Sequence, residues 1–233
     1  MGLFQLARVP EPEVMDDSSE VEAYTSASAQ DFLEKIDDTF VDHALRLVAG
    51  KERGRALDIG CGPGQIALKL ARRLTLWKFV GVDRSATMIA QARANLAAVN
   101  EAAGRVEFHE DNGNQLAFAD ESFDFVMCNS VLHHFAEPRN LFAEMARVAK
   151  PGAAILLRDL RRPGALAYPF HVRWHGRRYS GTMYQLYKQS VRAAYTVPEL
   201  RSMLESSALA NARVFTHHAT HLGIERPLNA TQP

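Results

Sequence analysis

From Asp31 onward, Phe32, Leu33, Ile36, Phe40, Leu45 and Leu47 recur at near-helical intervals, which predicts a helix. Short apolar runs then alternate with amphipathic segments. RALDIG, KFVGVD, RVEFHED, SFDFVMCNS and AAILLRDL read as strands. Between them, QIALKLARRL places Ile66, Leu70 and Leu74 on one helical face, and SATMIAQARANLAAV places Met88, Ala92, Leu96 and Val99 on another. Ser85 suits the N-cap of the latter helix. PRNLFAEMARVAK is a further helix, predicted to stop at Pro151-Gly152. Thr196 and Glu199 have the spacing of a capping box, opening a helix with Leu200, Met203 and Leu204. ARVFTHHAT and HLGIER follow as two late strands. The β-α-β-α order predicts a mainly parallel sheet covered on both faces, with the loops after the strands gathered along one ligand-binding edge.

The 233 residues suit one α/β domain. Residues 1–20, with two prolines and clustered acids, read as a poorly ordered arm. Residues 21–233 read as a single domain, with 21–50 a helical cap and 161–195 an insertion at the ligand edge. Lys+Arg and Asp+Glu number 27 each, so net charge gives no argument for nucleic acid. Cys61 and Cys128 lack the spacing and partners of a disulfide framework or a zinc site, and no metal is expected. The apolar runs fall short of a membrane span, and the first residues lack the pattern of a signal peptide or a myristoylation site. The expectation is a cytoplasmic chain without membrane attachment.

ALDIGCGPG ends a strand and then spends Gly60, Gly62 and Gly64 on one turn. Such a turn serves either tight packing or the approach of a ligand to bare main chain. Asp83 ends the next strand, where a carboxylate can accept both hydroxyls of a ribose. The spacing G-x-G-x-G departs from the dinucleotide pattern G-x-G-x-x-G, and no Gly-Lys-Ser/Thr follows as in a P-loop. Asp58 beside the turn repels a pyrophosphate and suits a ligand with an ammonium group.

LDIGCGPG, VGVDRSATMI, LAFADESFDFVMCNSVLHHF and ARVAKPGAAILLRDL together resemble the successive motifs of the class I S-adenosylmethionine-dependent methyltransferases, in the UbiE-like subgroup, over about residues 50–160. The resemblance implies a doubly wound, Rossmann-like seven-stranded sheet with its last strand antiparallel, and S-adenosylmethionine as cofactor. It implies that Gly60, Cys61, Gly62 and Gly64 lie under that cofactor. Asp58 would sit near its amino-acid end, Asp83 and Arg84 by the ribose, Met88 by the adenine and Asn129 by the methionine portion. Relatives usually carry Gly-Asp where Asp111-Asn112 stand here, so Asp111, Asn112 and Gly113 are candidates for the adenine contact or, equally, plain turn residues.

Methyl transfer from a sulfonium needs alignment more than a catalytic group, and a base only where the acceptor holds its proton. His133 and His134 follow the fourth strand and are the catalytic candidates, with His133 preferred because neighbouring side chains diverge; a buried structural imidazole is the competing reading. Residues 161–195 carry seven Lys/Arg, no acid and interleaved aromatics, among them Arg178, Tyr179 and Tyr187 as substrate-contact candidates. A lid over a small anionic or aromatic acceptor, an RNA-binding face and a homodimer surface all fit that composition. Asp159 is expected to orient or pair with an arginine. The leading expectation is a methyltransferase acting on a small molecule. A binding module that holds S-adenosylmethionine without turnover, an RNA methyltransferase and a nucleotide-dependent oxidoreductase stand as alternatives.

Overall fold

The computed structural model describes residues 6–11, 31–99, 102 and 104–229. Helix α1 (Asp31–Leu47) precedes strand β1 (Gly54–Ile59), α2 (Gln65–Arg73), β2 (Trp77–Asp83), α3 (Ala86–Ala97), β3 (Val106–Glu110) and β4 (Phe123–Asn129). A 3-10 turn at Leu132–His134 leads to α4 (Arg139–Val148) and β5 (Ala149–Leu160). The insertion folds as α5 (Tyr168–His175), a second 3-10 turn and α6 (Gly181–Ala193). Helix α7 (Val197–Glu205) and strands β6 (Arg213–His217) and β7 (His221–Arg226) end the chain.

The seven strands form one sheet in the order β3-β2-β1-β4-β5-β7-β6. β1 to β5 pair in parallel, and β7 runs antiparallel to both β5 and β6. The chain therefore winds outward from β1 to β3, then crosses back to start again at β4 on the other side of β1. Connections leaving β1 and β4 in opposite directions open a crevice at the carboxyl ends of these two strands.

Both faces of the sheet are buried, so successive strand residues alternate between two cores. Leu57, Ile59, Val80, Val82 and Val126 pack with Leu141, Phe142 and Met145 of α4 and with Leu200 and Leu204 of α7. Ala56, Phe79, Phe125 and Met127 pack with Phe40, Val41 and Ala44 of α1 and with Ile89 and Ala92 of α3.

Ser85 caps α3, its side chain accepting from the Met88 N–H at 3.3 Å. Thr196 and Glu199 form a reciprocal capping box on α7. Helix α4 differs from expectation: it ends at Val148, and Ala149 already pairs with Phe123. Pro151-Gly152 thus lies within β5, beside a shift in register between Phe123 and Phe125 that absorbs the irregularity.

The N-terminal arm also departs from its expected disorder, because residues 6–11 are docked. Arg8 donates from Nε to the Ala193 carbonyl at the end of α6 (2.6 Å) and from Nη2 to the carbonyls of His133 (3.0 Å) and Phe135 (2.9 Å). Its guanidinium lies 4.1 Å from the centre of the Tyr195 ring. A cation at the negative end of a helix, stacked on an aromatic face, holds this short segment in place. The rest of the arm, and residues 21–30 of the expected cap, lie outside the described residues.

Candidate active site

The crevice at the switch point continues into a cavity of about 730 Å³. Its floor is the glycine turn. Gly60 and Cys61 donate N–H bonds to the Val82 carbonyl (2.8 and 2.9 Å), which ties the turn to the end of β2. The three glycines do different work. A Cβ on Gly60 would stand 2.4 Å from Val131, and one on Gly64 would stand 2.5 Å from Phe108, so these two serve packing. Gly64 also caps α2 and is not among the cavity-lining residues. At Gly62, where φ is +50°, a Cβ would meet nothing within 4 Å, leaving bare main chain facing the cavity.

Four acids surround this floor: Asp37 from α1, Asp58, Asp83 and Asp111. Asp83 accepts from Gly62 N–H (2.8 Å) and Ser85 N–H (2.9 Å), so it braces the turn as well as facing the cavity. Asp58 is 2% exposed, and its Oδ2 finds no hydrogen-bond partner among the described residues. Burial, reinforced by the charges of Asp83 and Asp37, raises its carboxyl to about 8. Burial raises Asp37 to about 6. Asp111 accepts from the N–H groups of Asn112 (2.8 Å) and Ala117 (3.0 Å), while Asn112 Oδ1 accepts from Asn114 N–H (3.0 Å). These are turn contacts, yet Asp111, Asn112 and Gly113 also line the cavity, as do Cys61, Arg84, Met88 and Asn129. Burial pushes the Cys61 and Cys128 thiols up, which keeps them protonated and inert.

His133 and His134 sit on the 3-10 turn with ring centres 4.3 Å apart, and both line the cavity. The expected divergence of neighbouring side chains does not occur on this tight turn. Asp159 Oδ1 lies 2.6 Å from His133 Nδ1, and Oδ2 accepts from the His133 backbone N–H at 2.9 Å. Glu11 Oε1 lies 3.1 Å from His133 Nε2 and 3.3 Å from His134 Nδ1. Although burial lowers the His133 pKa, the charges and hydrogen bonds of Asp159 and Glu11 prevail and raise it to about 10. His133 is thus a donor on both nitrogens and a poor proton acceptor. Asp159 orients this histidine, not an arginine as anticipated.

The insertion covers the other end of the cavity. Val172, Tyr187 and Val191 form a small core with Leu160, Tyr168, Tyr179 and Tyr184. Arg178, Tyr179 and Tyr187 line the cavity beside His175, His217 and His221. Burial raises the phenol of Tyr179 to about 12 and that of Tyr187 beyond it, and Tyr187 Oη is buried without a partner among the described residues. Burial lowers His221 to about 3, leaving it neutral. Part of the basic charge predicted for this segment is committed internally: Arg162 pairs with Glu199 at 2.5 Å and is 6% exposed.

Residues 57–157 match the family profile described as a methyltransferase domain. Over 124 residues the chain is 36% identical to a ubiquinone biosynthesis O-methyltransferase of Hahella chejuensis, an alignment covering 53% of this chain and 48% of that protein. A demethylmenaquinone methyltransferase of Bacillus cereus is 26% identical over 196 residues, covering 78% and 82%. In fold, the chain is similar to the plantazolicin methyltransferase BpumL solved with a triazolic desmethylPZN analog and SAH (TM-score 0.69, 15% identity, 91% of each chain). It is also similar to a SAM dependent methyltransferase from Aquifex aeolicus (TM-score 0.59, 20% identity, 90% and 93%). Residues 57–157 thus form a methyltransferase domain, similar in sequence to S-adenosylmethionine-dependent methyltransferases. The chain spans about half the length of the first curated relatives it matches.

The residues of this methyltransferase fold fit the family's cofactor on physical grounds. Bare main chain at Gly62 leaves room against the turn, and the Asp58 carboxyl, its Oδ2 without a partner among the described residues, suits a cationic group. Sequence reasoning missed Glu11, Asp37 and the histidines at 217 and 221. Asp37 lies on a helical face whose apolar stripe gave no hint of an inward acid. Glu11 is more than 120 residues from the histidines it meets, and no local spacing carries that contact. Arg158 of β5 is a further residue that the sequence does not single out. It is 1% exposed and donates to Asn129 Oδ1 (3.2 Å), Thr39 Oγ1 (2.7 Å) and the Ile36 carbonyl (3.1 Å), tying α1 to the sheet.

Proposed function

We propose that the chain is an enzyme that transfers a methyl group from S-adenosylmethionine to a small-molecule acceptor. The observation that carries this reading is the buried Asp58 carboxyl, whose Oδ2 has no partner among the described residues, beside the open main chain of Gly62. In this reading Asp83, Arg84 and the glycine turn hold the sugar, Met88 and the Asp111–Gly113 turn hold the base, and Asp58 and Asn129 face the amino-acid portion. When bound, the sulfonium supplies an activated methyl group and leaves as a neutral thioether. The chain's own part is alignment and exclusion of water, and alignment alone is worth about 7–11 kcal/mol.

The cavity is polarised in a way that supports an anionic or aromatic acceptor. Acids gather around the glycine turn, whereas Arg178 and the tyrosines line the insertion side, beside a His175 whose pKa burial lowers. A cationic cofactor and an acceptor of opposite character suit the two halves. The internal commitment of Arg162 and the small size of the basic segment weigh against RNA as acceptor. Two protonated thiols and the absence, among the described residues, of a helix long and apolar enough to cross a membrane agree with work in a reducing cytoplasm.

The test is incubation of the protein with methyl-labelled S-adenosylmethionine and a pool of extracted metabolites, followed by mass spectrometry. The reading predicts label in a low-molecular-mass product. Saturable cofactor binding with no label transferred to any pool would reduce the chain to a binding module.

A further inference from the structure

We propose that Glu11, His133 and His134 form a binding site for one divalent first-row transition-metal ion, with Asp159 as the outer carboxylate that fixes the first imidazole. Each residue offers one ligand atom, and the three atoms lie within 4.8 Å of one another. The spacings from Glu11 Oε1 to His133 Nε2 (3.1 Å) and to His134 Nδ1 (3.3 Å) suit an ion between them. Bonds of about 2.0–2.2 Å to nitrogen and oxygen set neighbouring ligand atoms about 3.0–3.4 Å apart in octahedral or tetrahedral geometry.

The surroundings are built as such a site requires. Asp159 takes His133 Nδ1 at 2.6 Å and its backbone N–H at 2.9 Å, so ring orientation is fixed and Nε2 is the nitrogen left for Glu11. A carboxylate behind a ligating histidine is the common way proteins orient and strengthen that ligand. Glu11 is itself held, since the Ser190 hydroxyl donates to Oε1 at 3.1 Å. Arg8 and the Val9 N–H, which donates to the Arg192 carbonyl at 3.1 Å, pin the arm that carries Glu11. Two imidazoles and one carboxylate favour zinc, cobalt, nickel or iron over magnesium or calcium, which prefer all-oxygen shells.

His133 and His134 line the cavity, so a molecule there reaches the remaining positions of the ion. That the ion would hold an oxygen of the methyl acceptor rests on the methyl-transfer reading; that it binds does not. Binding displaces the proton otherwise shared between His133 and Glu11, and that proton goes to solvent.

The experiment uses the full chain freed of metal by a chelator and titrated with cobalt(II), without S-adenosylmethionine. Visible absorption reports the site, and zinc serves as competitor. The proposal predicts one equivalent of cobalt bound, displaced by zinc. Affinity falls by at least about 10–100-fold in His134→Ala and in Glu11→Gln, with circular dichroism unchanged. His134 is only partly buried, so its alanine variant keeps the test informative even where Glu11→Gln loosens the arm. No saturable binding, or binding that survives both substitutions, overturns the site and leaves an imidazolium between two carboxylates. Neither result depends on whether methyl transfer is found.

Discussion

Asp58 couples the protein's stability to its ligand. An unfolded aspartate ionises near pH 4, while in the folded chain burial holds the group protonated up to about 8. Its folded pKa is therefore raised, so its contribution is fully present below about pH 4 and lost as pH rises through 8. Within that window the wild type loses about 1.4 kcal/mol per pH unit relative to Asp58→Asn, which denaturant melts at several pH values will read. The same group gives a binding signature. A ligand that presents an ammonium group to Asp58 ionises it, so binding at pH 7 releases close to one proton. Calorimetry in two buffers of different ionisation enthalpy measures that release, and Asp58→Asn abolishes it. The glycines separate packing from ligand contact. Gly60→Ala drives a methyl into Val131 and costs about 2–4 kcal/mol of stability, whereas Gly62→Ala costs about 1 kcal/mol and chiefly weakens cofactor binding. Thermal melts with and without cofactor distinguish the two.

At the scale of elements, the site is assembled by ties that sequence periodicity does not report. Arg158 joins β5 to α1 through Thr39 and Ile36 and lies 5.0 Å from the Phe40 ring. Arg158→Met removes these ties and strands their partners, so amide exchange in α1 speeds up while the strands stay protected; uniform loss of protection across the sheet would contradict the tie. Most elements were legible because each has a local cause. The strands are apolar runs, Ser85 and Thr196 cap where a cap belongs, and the glycine turn interrupts a buried strand. The end of α4 was misplaced because Ala149 obeys its pairing with Phe123 rather than the breaker at Pro151. The docked arm was not legible either, since Arg8 binds main-chain carbonyls that exist as a set only in the folded molecule. Of the candidate residues, Asp58, Gly62, Asp83 and Met88 converge on the cavity because strand ends and their loops share one edge. Gly64 falls away, because its turn conformation faces the core.

At the scale of the whole molecule, one topological event makes the cavity. The chain reverses its winding between β3 and β4, and β1 and β4 pair across that reversal with their carboxyl ends side by side. Acids from α1, β1 and β2 meet on one side of the crevice, and the basic, aromatic insertion closes over the other. The central claim is that this crevice takes a sulfonium nucleoside rather than a pyrophosphate dinucleotide. Isothermal titration with S-adenosylmethionine, its demethylated product and NAD tests it most directly. The account predicts saturable one-site binding of the first two, no binding of NAD, and loss of about 10–100-fold in affinity in Asp83→Ala. A folded chain that binds NAD and gives no heat with either sulfur compound contradicts it.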